Sequence, residues 1–401
     1  MSKIDELIQQ YCPNGVEKQK IKDVFSRVKG TPITAGKMHE IENPDGEIRI
    51  FAGGKTVINA YAKDIPNANI IRVPAVLIQS RGLIDFIYYD KPFTFKNEMW
   101  AYTENQNHSL KYLYYVLKNN IKYFREAASG MGSMPQISLA VTEEFDISLP
   151  PLPVQEEIVR ILDKFTELEA ELEAELEARR RQYEYYRNKL LDFNELQRYS
   201  AGGVRLMTLG EVFEMRNGYT PSKSVSKFWD NGTIPWFRME DIRQNGRILT
   251  DSILHITPDA VKGNGLFEAG SFILATTATI GEHAMLIADS LANQQFTNLK
   301  IRKSLKNDFD IKFLFYYLYK VCIFCKAHTN KSGFESVDMK ALRACPIPVP
   351  SLSVQERIVS VLDRFDALVN DLSSGLPAEL DARRRQYEYY RDRLLSFPPA
   401  V

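Results

Sequence analysis

From Val154 onward the apolar residues fall into steps of mostly three and four: Val154, Ile158, Ile161, Phe165, Leu168, Leu172, Leu176, Tyr183, Tyr186 and Leu190. That spacing lays one stripe along a single α-helix. Roughly forty residues at about 1.5 Å each predict a rod of about 60 Å. Its middle is the tetrad ELEA written three times, from Glu167 to Ala178. Leucines four apart advance by about 400° per step, so the stripe drifts and a heptad seam is locally unwound. A second stretch near the C-terminal end has the same pattern but carries DLSSGLPAELD in place of the tetrads. Gly375 suits a helix end and Pro377 the first turn of a new helix. The second rod is therefore predicted to break between Ser373 and Pro377.

The two stretches are copies. Ala178 to Phe193 reads ARRRQYEYYRNKLLDF and Ala382 to Phe397 reads ARRRQYEYYRDRLLSF, identical at 13 of 16 positions. Upstream, LPVQEEIVRILDKF from Leu152 matches LSVQERIVSVLDRF from Leu352. Such self-similarity defines the architecture before any local motif does: two half-molecules in tandem, with the twin rods expected to pack antiparallel on each other. Ile8, Gln9 and Tyr11 align with Leu196, Gln197 and Tyr199, so the first eleven residues read as the tail end of a rod displaced to the front.

Between rods the period shifts from helix to strand. The first domain offers IRIFAGG, NIIRVPAVLIQS and GLIDFIYYD as strands; the second offers TIPWFRMEDI, GSFILATTATIG and EHAMLIAD. Each then closes with an amphipathic helix, SLKYLYYVLKNNIKYF or FDIKFLFYYLYKVCIFC, and a proline-rich connector, LPPLP or CPIPVP. The two domains open alike, with Gly15, Ile21, Val24 and Phe25 matching Gly203, Leu209, Val212 and Phe213. Near the end of the strand region, Asn97 and Trp100 fall 196 residues before Asn293 and Phe296. Elsewhere the domains differ almost completely, as two readers of two ligands would.

Composition narrows the class. The chain has 401 residues, 44% hydrophobic and 25% charged, which fits two or more globular domains. No apolar run approaches the eighteen or so residues of a membrane span, and Met1 to Tyr11 does not read as a signal peptide. Four cysteines without an even framework point to a reducing compartment. Formal net charge is zero, but Val154 to Phe193 holds 11 acids against 7 bases and Val354 to Phe397 holds 8 against 7. The rods are net acidic and the remainder net basic, as expected for rods facing protein and domains facing a polyanion.

The motifs GTIPWFRMEDI (Gly232 to Ile242), ATIGEHA (Ala278 to Ala284) and ANQQF (Ala292 to Phe296) resemble, in this order, the specificity subunits of type I restriction–modification systems. So do VQE at Gln155 and Gln355, the ELEA tetrads and the doubled ARRRQYEYYR, and the likeness covers the whole chain. The first domain lacks the IPWFRMEDI and ATIG text and belongs to a different recognition-domain subtype. The resemblance implies an α+β fold: two target-recognition domains of mixed strands and helices, separated by long conserved helices packing as an antiparallel coiled coil in a pseudo-two-fold tandem repeat. The expected boundaries are an N-terminal segment 1–14, recognition domain 15–150, central helical region 151–202 with the tetrads as spacer, recognition domain 203–350 and distal helical region 351–401. Each recognition domain would read one half of a split DNA site, and the helices would set the spacing and dock two methyltransferase subunits. Restriction–translocase subunits complete the complex. S-adenosylmethionine, ATP and Mg2+ would belong to those partners, with no cofactor and no metal in this chain. The implied location is the cytoplasm of a bacterium or archaeon.

Family recognition domains read bases from loops, so polar and basic residues flanking the strands are the DNA-binding candidates. In the second domain these are Tyr219, Thr220, Lys223, Arg238, Thr276, Thr277, Thr279 and Gln294; in the first they are Thr31, Lys55, Gln79, Ser80 and Arg81. Arg and Lys can span guanine O6 and N7, Gln can pair with adenine, and Thr offers a hydroxyl and a methyl group. Others would hold phosphates, which position without specifying. Trp236 reads as scaffold.

Catalytic chemistry finds little footing. FAGGKT (Phe51 to Thr56) lacks the first glycine of a phosphate loop, since Arg49 stands there, and reads as a turn ending a strand. There is no Asp/Asn-Pro-Pro-Tyr/Phe motif for adenine methylation: Asn43-Pro44-Asp45 is a turn and Leu149-Pro150-Pro151 a connector. Cys322, Cys325 and His328, with Cys345 later, have metal-like spacing but lie in a strongly apolar helix, where buried free thiols are commoner. A chain without an active site leaves two readings open, a DNA-reading assembly subunit or a non-catalytic coiled-coil scaffold whose variable domains bind protein.

Overall fold

The computed structural model describes residues 2–65, 67–104, 108–129, 134–330, 335–371 and 373–400. Its frame is helical: α1 (Lys3–Tyr11), α2 (Leu110–Asn119), α3 (Leu152–Leu190), α4 (Phe193–Tyr199), α5 (Met239–Asn245), α6 (Ile311–Ala327), α7 (Leu352–Asn370) and α8 (Leu376–Leu394). The first rod is one uninterrupted helix, α3, whose 39 residues span about 58 Å at about 1.5 Å each. The second rod is broken into α7 and α8, as Gly375 and Pro377 predict. A Cβ on Gly375 would lie 2.5 Å from the Ala367 carbonyl oxygen, so only glycine permits this close turn. The first-domain helix is also split, because Asn120 caps α2 before a second helix, Ile121–Glu126.

The chain forms two compact units, Met1–Glu171 with Leu380–Val401, and Leu172–Glu379. Each unit joins one strand-rich domain to helical segments from both rods, and the unit boundary falls inside α3. In the first unit, antiparallel packing of α3 on α8 stacks Phe165 on Tyr390 at 5.6 Å and sets Arg384 against Glu169 at 2.6 Å. In the second, α7 packs on α3 in the same way: Phe365 stacks on Tyr186 at 5.6 Å, and the Tyr183 hydroxyl donates to Asp366 at 3.3 Å. The repeated tyrosines thus hold one copy of the helix motif to the phenylalanine of the other. The displaced segment α1 joins the first unit, with Ile4 and Leu394 in one core and the Val16 N–H bonded to the Pro398 carbonyl at 2.9 Å.

The VQE glutamines show why that motif occurs twice. Gln155 and Gln355 are fully buried. Gln155 donates to the Pro150 carbonyl at 2.7 Å and accepts from the Ser109 N–H at 3.0 Å. Gln355 donates to the Pro350 and Asp308 carbonyls at 2.9 and 2.8 Å and accepts from the Asp310 N–H at 2.8 Å. Ser109 and Asp310 are the N-caps of α2 and α6. Each glutamine therefore ties the domain's closing helix to the first turn of its rod, and losing it would orphan buried groups at about 1–3 kcal/mol each. About two turns on, Asp163 accepts from Lys111 and Tyr115, and Asp363 from Lys312 and Tyr316, all within 2.6–2.7 Å.

In the first domain, β1 (Ser26–Lys29), β2 (Ile48–Phe51), β3 (Val57–Ala60), β4 (Ala75–Gln79), β5 (Asp85–Tyr89), β6 (Phe93–Phe95) and β7 (Trp100–Thr103) make two sheets. One has the order β1-β7-β4-β5 and is antiparallel throughout; the other has the order β3-β2-β6, with β2 and β6 parallel. Strand β4 is a continuous apolar run because both faces are covered. Val76 and Ile78 join the helix-side core with Leu113 and Ile158, whereas Ala75 and Leu77 join Phe51, Phe93 and Phe95 of the second sheet.

The second domain repeats this plan in β8 (Phe213–Asn217), β9 (Ile234–Phe237), β10 (Ile248–Leu249), β11 (His255–Ile256), β12 (Phe272–Ala275), β13 (His283–Leu286), β14 (Leu291–Ala292) and β15 (Phe296–Ile301). Its sheets run β8-β15-β12-β13-β10 and β11-β9-β14, with β9 and β14 parallel. Within these two sheets, the described residues add the edge strand β10 to the first domain's order. One sequence expectation fails here: TIPWFRMEDI is not a strand throughout. It turns into α5 at Met239 because the fully buried Asp241 accepts the Arg238 N–H at 2.7 Å and opens a helix.

Candidate nucleic-acid interface

Backbone bonds gather the loops of each domain at one end of its sheets. In the second domain the Tyr219 N–H donates to Ala292 O, Asn293 N–H to Phe237 O, and Val337 N–H to Thr276 O, at 2.9–3.0 Å. In the first, Thr31 N–H donates to Phe95 O, Lys96 N–H to Phe51 O, and Ile137 N–H to Ser80 O, at 2.7–3.0 Å. The bridges at the hairpin tips correspond too, Arg81 with Gln136 and Thr277 with Ser336. Two glycines make this gathering possible. A Cβ on Gly30 would lie 2.1 Å from Phe95 O, and one on Gly218 would lie 2.2 Å from Asn293 O. Side chains on this shared backbone differ position by position: Thr31 and Tyr219, Ala52 and Arg238, Ser80 and Thr276, Arg81 and Thr277, Lys96 and Asn293.

The structure places the second-domain candidates on these loops in two layers. The inner layer is committed to the scaffold. Thr276 is buried and shares a 2.9 Å hydrogen bond with Thr297. The Tyr219 hydroxyl donates to Ala260 O at 3.1 Å and accepts from the Lys262 N–H at 2.9 Å. Trp236 is buried and donates to Tyr219 O at 3.0 Å. The outer layer is Thr220 hydrogen-bonded to exposed Gln294, exposed Lys223, half-buried Thr277 and Thr279, and Arg238. Arg238 is 28% exposed and pairs with Glu240 at 2.9 Å, while its Nε is shielded with no acceptor. Between Thr277 and Thr279, Ala278 is held at φ 60°, a left-handed conformation that costs an alanine about 1–2 kcal/mol. Backbone strain of this kind collects where a loop must present side chains.

In the first domain, Thr31 is fully buried, its hydroxyl bonded to Thr94 at 2.6 Å. Gln79 is buried and donates to Gly54 O at 2.9 Å, and buried Ser80 donates to Glu98 O. Exposed Lys55 and Arg81 remain at the surface. Arg81 lines a cleft of about 560 Å³ together with Gly53, Gly54, Lys96, Glu98 and Met134. The FAGGKT segment is the turn between β2 and β3, closed by Ala52 N–H to Thr56 O at 3.0 Å. Lys96, ion-paired with Glu98 at 3.0 Å, was not among the sequence candidates. The signal was there, since Lys96 directly precedes the asparagine of NEMW.

The thiols of the second domain serve packing. Cys322, Cys325 and Cys345 are buried, and burial raises all three thiols above their ordinary range. Cys322 Sγ lies 3.2 Å from Nδ1 of His283, whose Nε2 faces the Phe315 carbonyl at 3.0 Å. Complete burial depresses the His283 pKa to about 3. His328 instead stacks on Phe324 at 3.9 Å. Among the described residues no three His, Cys, Asp or Glu side chains gather as a metal site, and no helix is long and apolar enough to cross a membrane.

The type I restriction modification DNA specificity domain matches this sequence twice, over residues 13–178 and 202–382. The chain belongs to the type I restriction–modification specificity family. It is 35% identical over 370 residues to the EcoR124I/EcoR124II specificity subunit of Escherichia coli, covering 88% of this chain and 87% of that one. It is 48% identical to the EcoprrI specificity subunit of Escherichia coli over 219 residues, 53% of each chain, so that likeness spans about half of either protein. The fold is that of the S subunit from M. genitalium (TM-score 0.59, 18% identity), which matches over 94% of this chain and 96% of that one. A chain from a type I R-M assembly structure gives TM-score 0.57 at 17% identity, covering 96% of this chain and 98% of that one. The two matched segments each contain one of the two-sheet domains, and so one of the two gathered sets of loops.

Proposed function

We propose that this chain is the sequence-specificity subunit of a type I restriction–modification complex, with each recognition domain reading one half of a bipartite duplex site. The observation that supports this most strongly is one loop scaffold bearing two different sets of side chains. In the second domain Thr220, Lys223, Arg238, Thr277, Thr279 and Gln294 face the DNA; in the first, Lys55, Arg81 and Lys96 do. Tyr219, Thr276, Thr31, Gln79 and Ser80 hold those loops rather than touch bases, because their hydroxyls, and the amide N–H of Gln79, are already bonded inside the domain.

The chain catalyses nothing by itself. Its paired helices dock two methyltransferase subunits, and motor-nuclease subunits join them in the cytoplasm. S-adenosylmethionine, ATP and Mg2+ act in those partners. Purified alone, the chain methylates nothing; with its methyltransferase partner it directs adenine methylation to one split sequence, with salt-dependent duplex binding from counterion release. Methyl transfer by the rigorously purified chain, or salt-independent binding to protein in place of DNA, would contradict this reading.

A further inference from the structure

Within the second unit a cleft of about 930 Å³ lies between the C-terminal part of α3, the end of α5, α6 and α7. Arg180 and Arg187 of α3 line it, with Arg243 and Arg247 from the recognition domain. The repeat supplies a reference for the first two. In the first unit, Arg384 donates to Glu169 at 2.6 Å and Arg391 to Asp392 at 2.8 Å. In the second unit the residue in register with Glu169 is Val369, and the residue in register with Asp392 is Asn188. Arg180 and Arg187 have therefore each lost the carboxylate their counterparts keep. The recognition domain adds Arg243, and among the described residues none of these three makes an ion pair.

The acids of the cleft do not replace what is missing. Asp363 accepts from Lys312 and Tyr316, and Asp371 accepts from Ser373 at 2.6 Å. Asp366, the one acid gained relative to Thr166 of the first repeat, accepts from Tyr183 and from Asn370 at 2.8 Å. Glu184 is matched by Glu388 and leaves the comparison unchanged. Aromatic rings hold Arg187 instead: its guanidinium carbon lies 4.1 Å from the Tyr319 ring centre and 5.3 Å from that of Tyr183. A ring is attracted to the cation without using its N–H donors as a carboxylate would, so donors of the planar fork are left for an oxyanion.

We propose that this cleft binds a phosphate-bearing anion between Arg180, Arg187 and Arg243, and that the first unit has no equivalent site. The phosphate comes either from a free polyphosphate or from the phosphodiester backbone of DNA. Calorimetric titration of the full chain with sodium tripolyphosphate tests the site, and competition by a short nonspecific duplex identifies the source. One saturable site per chain is expected. Asn188→Asp, at an exposed position, returns to Arg187 the carboxylate that Arg391 has and should weaken binding at least tenfold. Arg180→Gln with Arg243→Gln should do the same, whereas Arg385→Gln, an arginine already paired with Asp381, should not. Displacement by duplex, with a salt slope shallower by about two in the double variant, assigns the site to DNA phosphates. Saturable binding without displacement assigns it to a free polyphosphate. Absence of saturable binding, insensitivity to Asn188→Asp, or equal weakening by Arg385→Gln would overturn the proposal.

Discussion

Phe86 and His283 occupy the same place in the two copies of one sheet, opposite Ile78 and Leu274 in their ladders. In the first unit Phe86 packs edge-on against Phe124 at 4.9 Å. In the second unit His283 is equally buried but spends both nitrogens, one toward the Phe315 carbonyl and one toward Cys322. The backbone is held by the ladder and by the glutamine clamp to the rod. A side chain on it is free to change as long as any polar atom it brings is satisfied. Arg81 and Thr277 at the equivalent bridges of the hairpin tips show the same freedom, in positions proposed to face DNA. On the proposed function, a shared frame with exchangeable tips would let one fold read two different half-sites.

If the frame is shared, breaking it must hurt both halves alike. Gln155→Ala and Gln355→Ala each orphan buried groups and should each cost about 3 kcal/mol. Denaturant unfolding measures the loss, and hydrogen exchange at the first turns of α2 and α6 assigns it to the correct half. A cost confined to one glutamine would mean that the clamps are not equivalent.

If the tips are exchangeable, altering one must change one half-site. Thr277→Ala should shift preference at the half read by the second domain, and Arg81→Ala at the other, by about 1–3 kcal/mol for a direct base contact. Binding competition against duplexes altered in one half at a time reads this out. Equal relaxation at both halves would refute modular reading.

The Phe86–His283 difference predicts unequal acid sensitivity. At pH above about 6.5 His283 is neutral folded and unfolded, and contributes no pH dependence. As the pH falls below that value the unfolded chain binds a proton that the buried imidazole refuses down to about pH 3, so stability drops. The loss approaches about 1.4 kcal/mol per pH unit and falls on the second unit. Between pH 6.5 and 5, before the carboxylates titrate, exchange protection should fall faster around His283 than around Phe86. Burial also lowers the pKa of His108 in the first unit, so the comparison is made in a His108→Gln background. There, parallel loss in both units, or none, would show that burial of His283 is not what separates them.

The helical half of this architecture was legible because its signals are local. The three-four spacing from Val154, the doubled ARRRQYEYYR and the Gly375–Pro377 break depend on near neighbours in sequence. The recognition domains were less legible, because their likeness lies in ladder bonds and not in side chains. The 196-residue sequence offset pairs Asn97 with Asn293, yet the bonds to Phe51 and Phe237 pair Lys96 with Asn293, one residue away. A one-residue slip exchanges the faces of a strand, which hid the correspondence. The candidate residues divide for a similar reason. Sequence shows that Thr31 and Thr276 carry hydroxyls in the right stretches; only the fold shows that Thr94 and Thr297 already satisfy them.

On the proposed function the domains read sequence while the helix between them sets the distance. Deleting Glu171 to Ala174 leaves two ELEA tetrads and touches neither recognition domain. It shortens a continuous helix by about 6 Å and rotates it by about 40°, where one base pair is worth about 3.4 Å. Methylation-site mapping in cells that carry the deletion with its methyltransferase partner should return the same two half-sites separated by a spacer shorter by one or two base pairs. An unchanged spacer at normal activity would show that the helix does not set the distance.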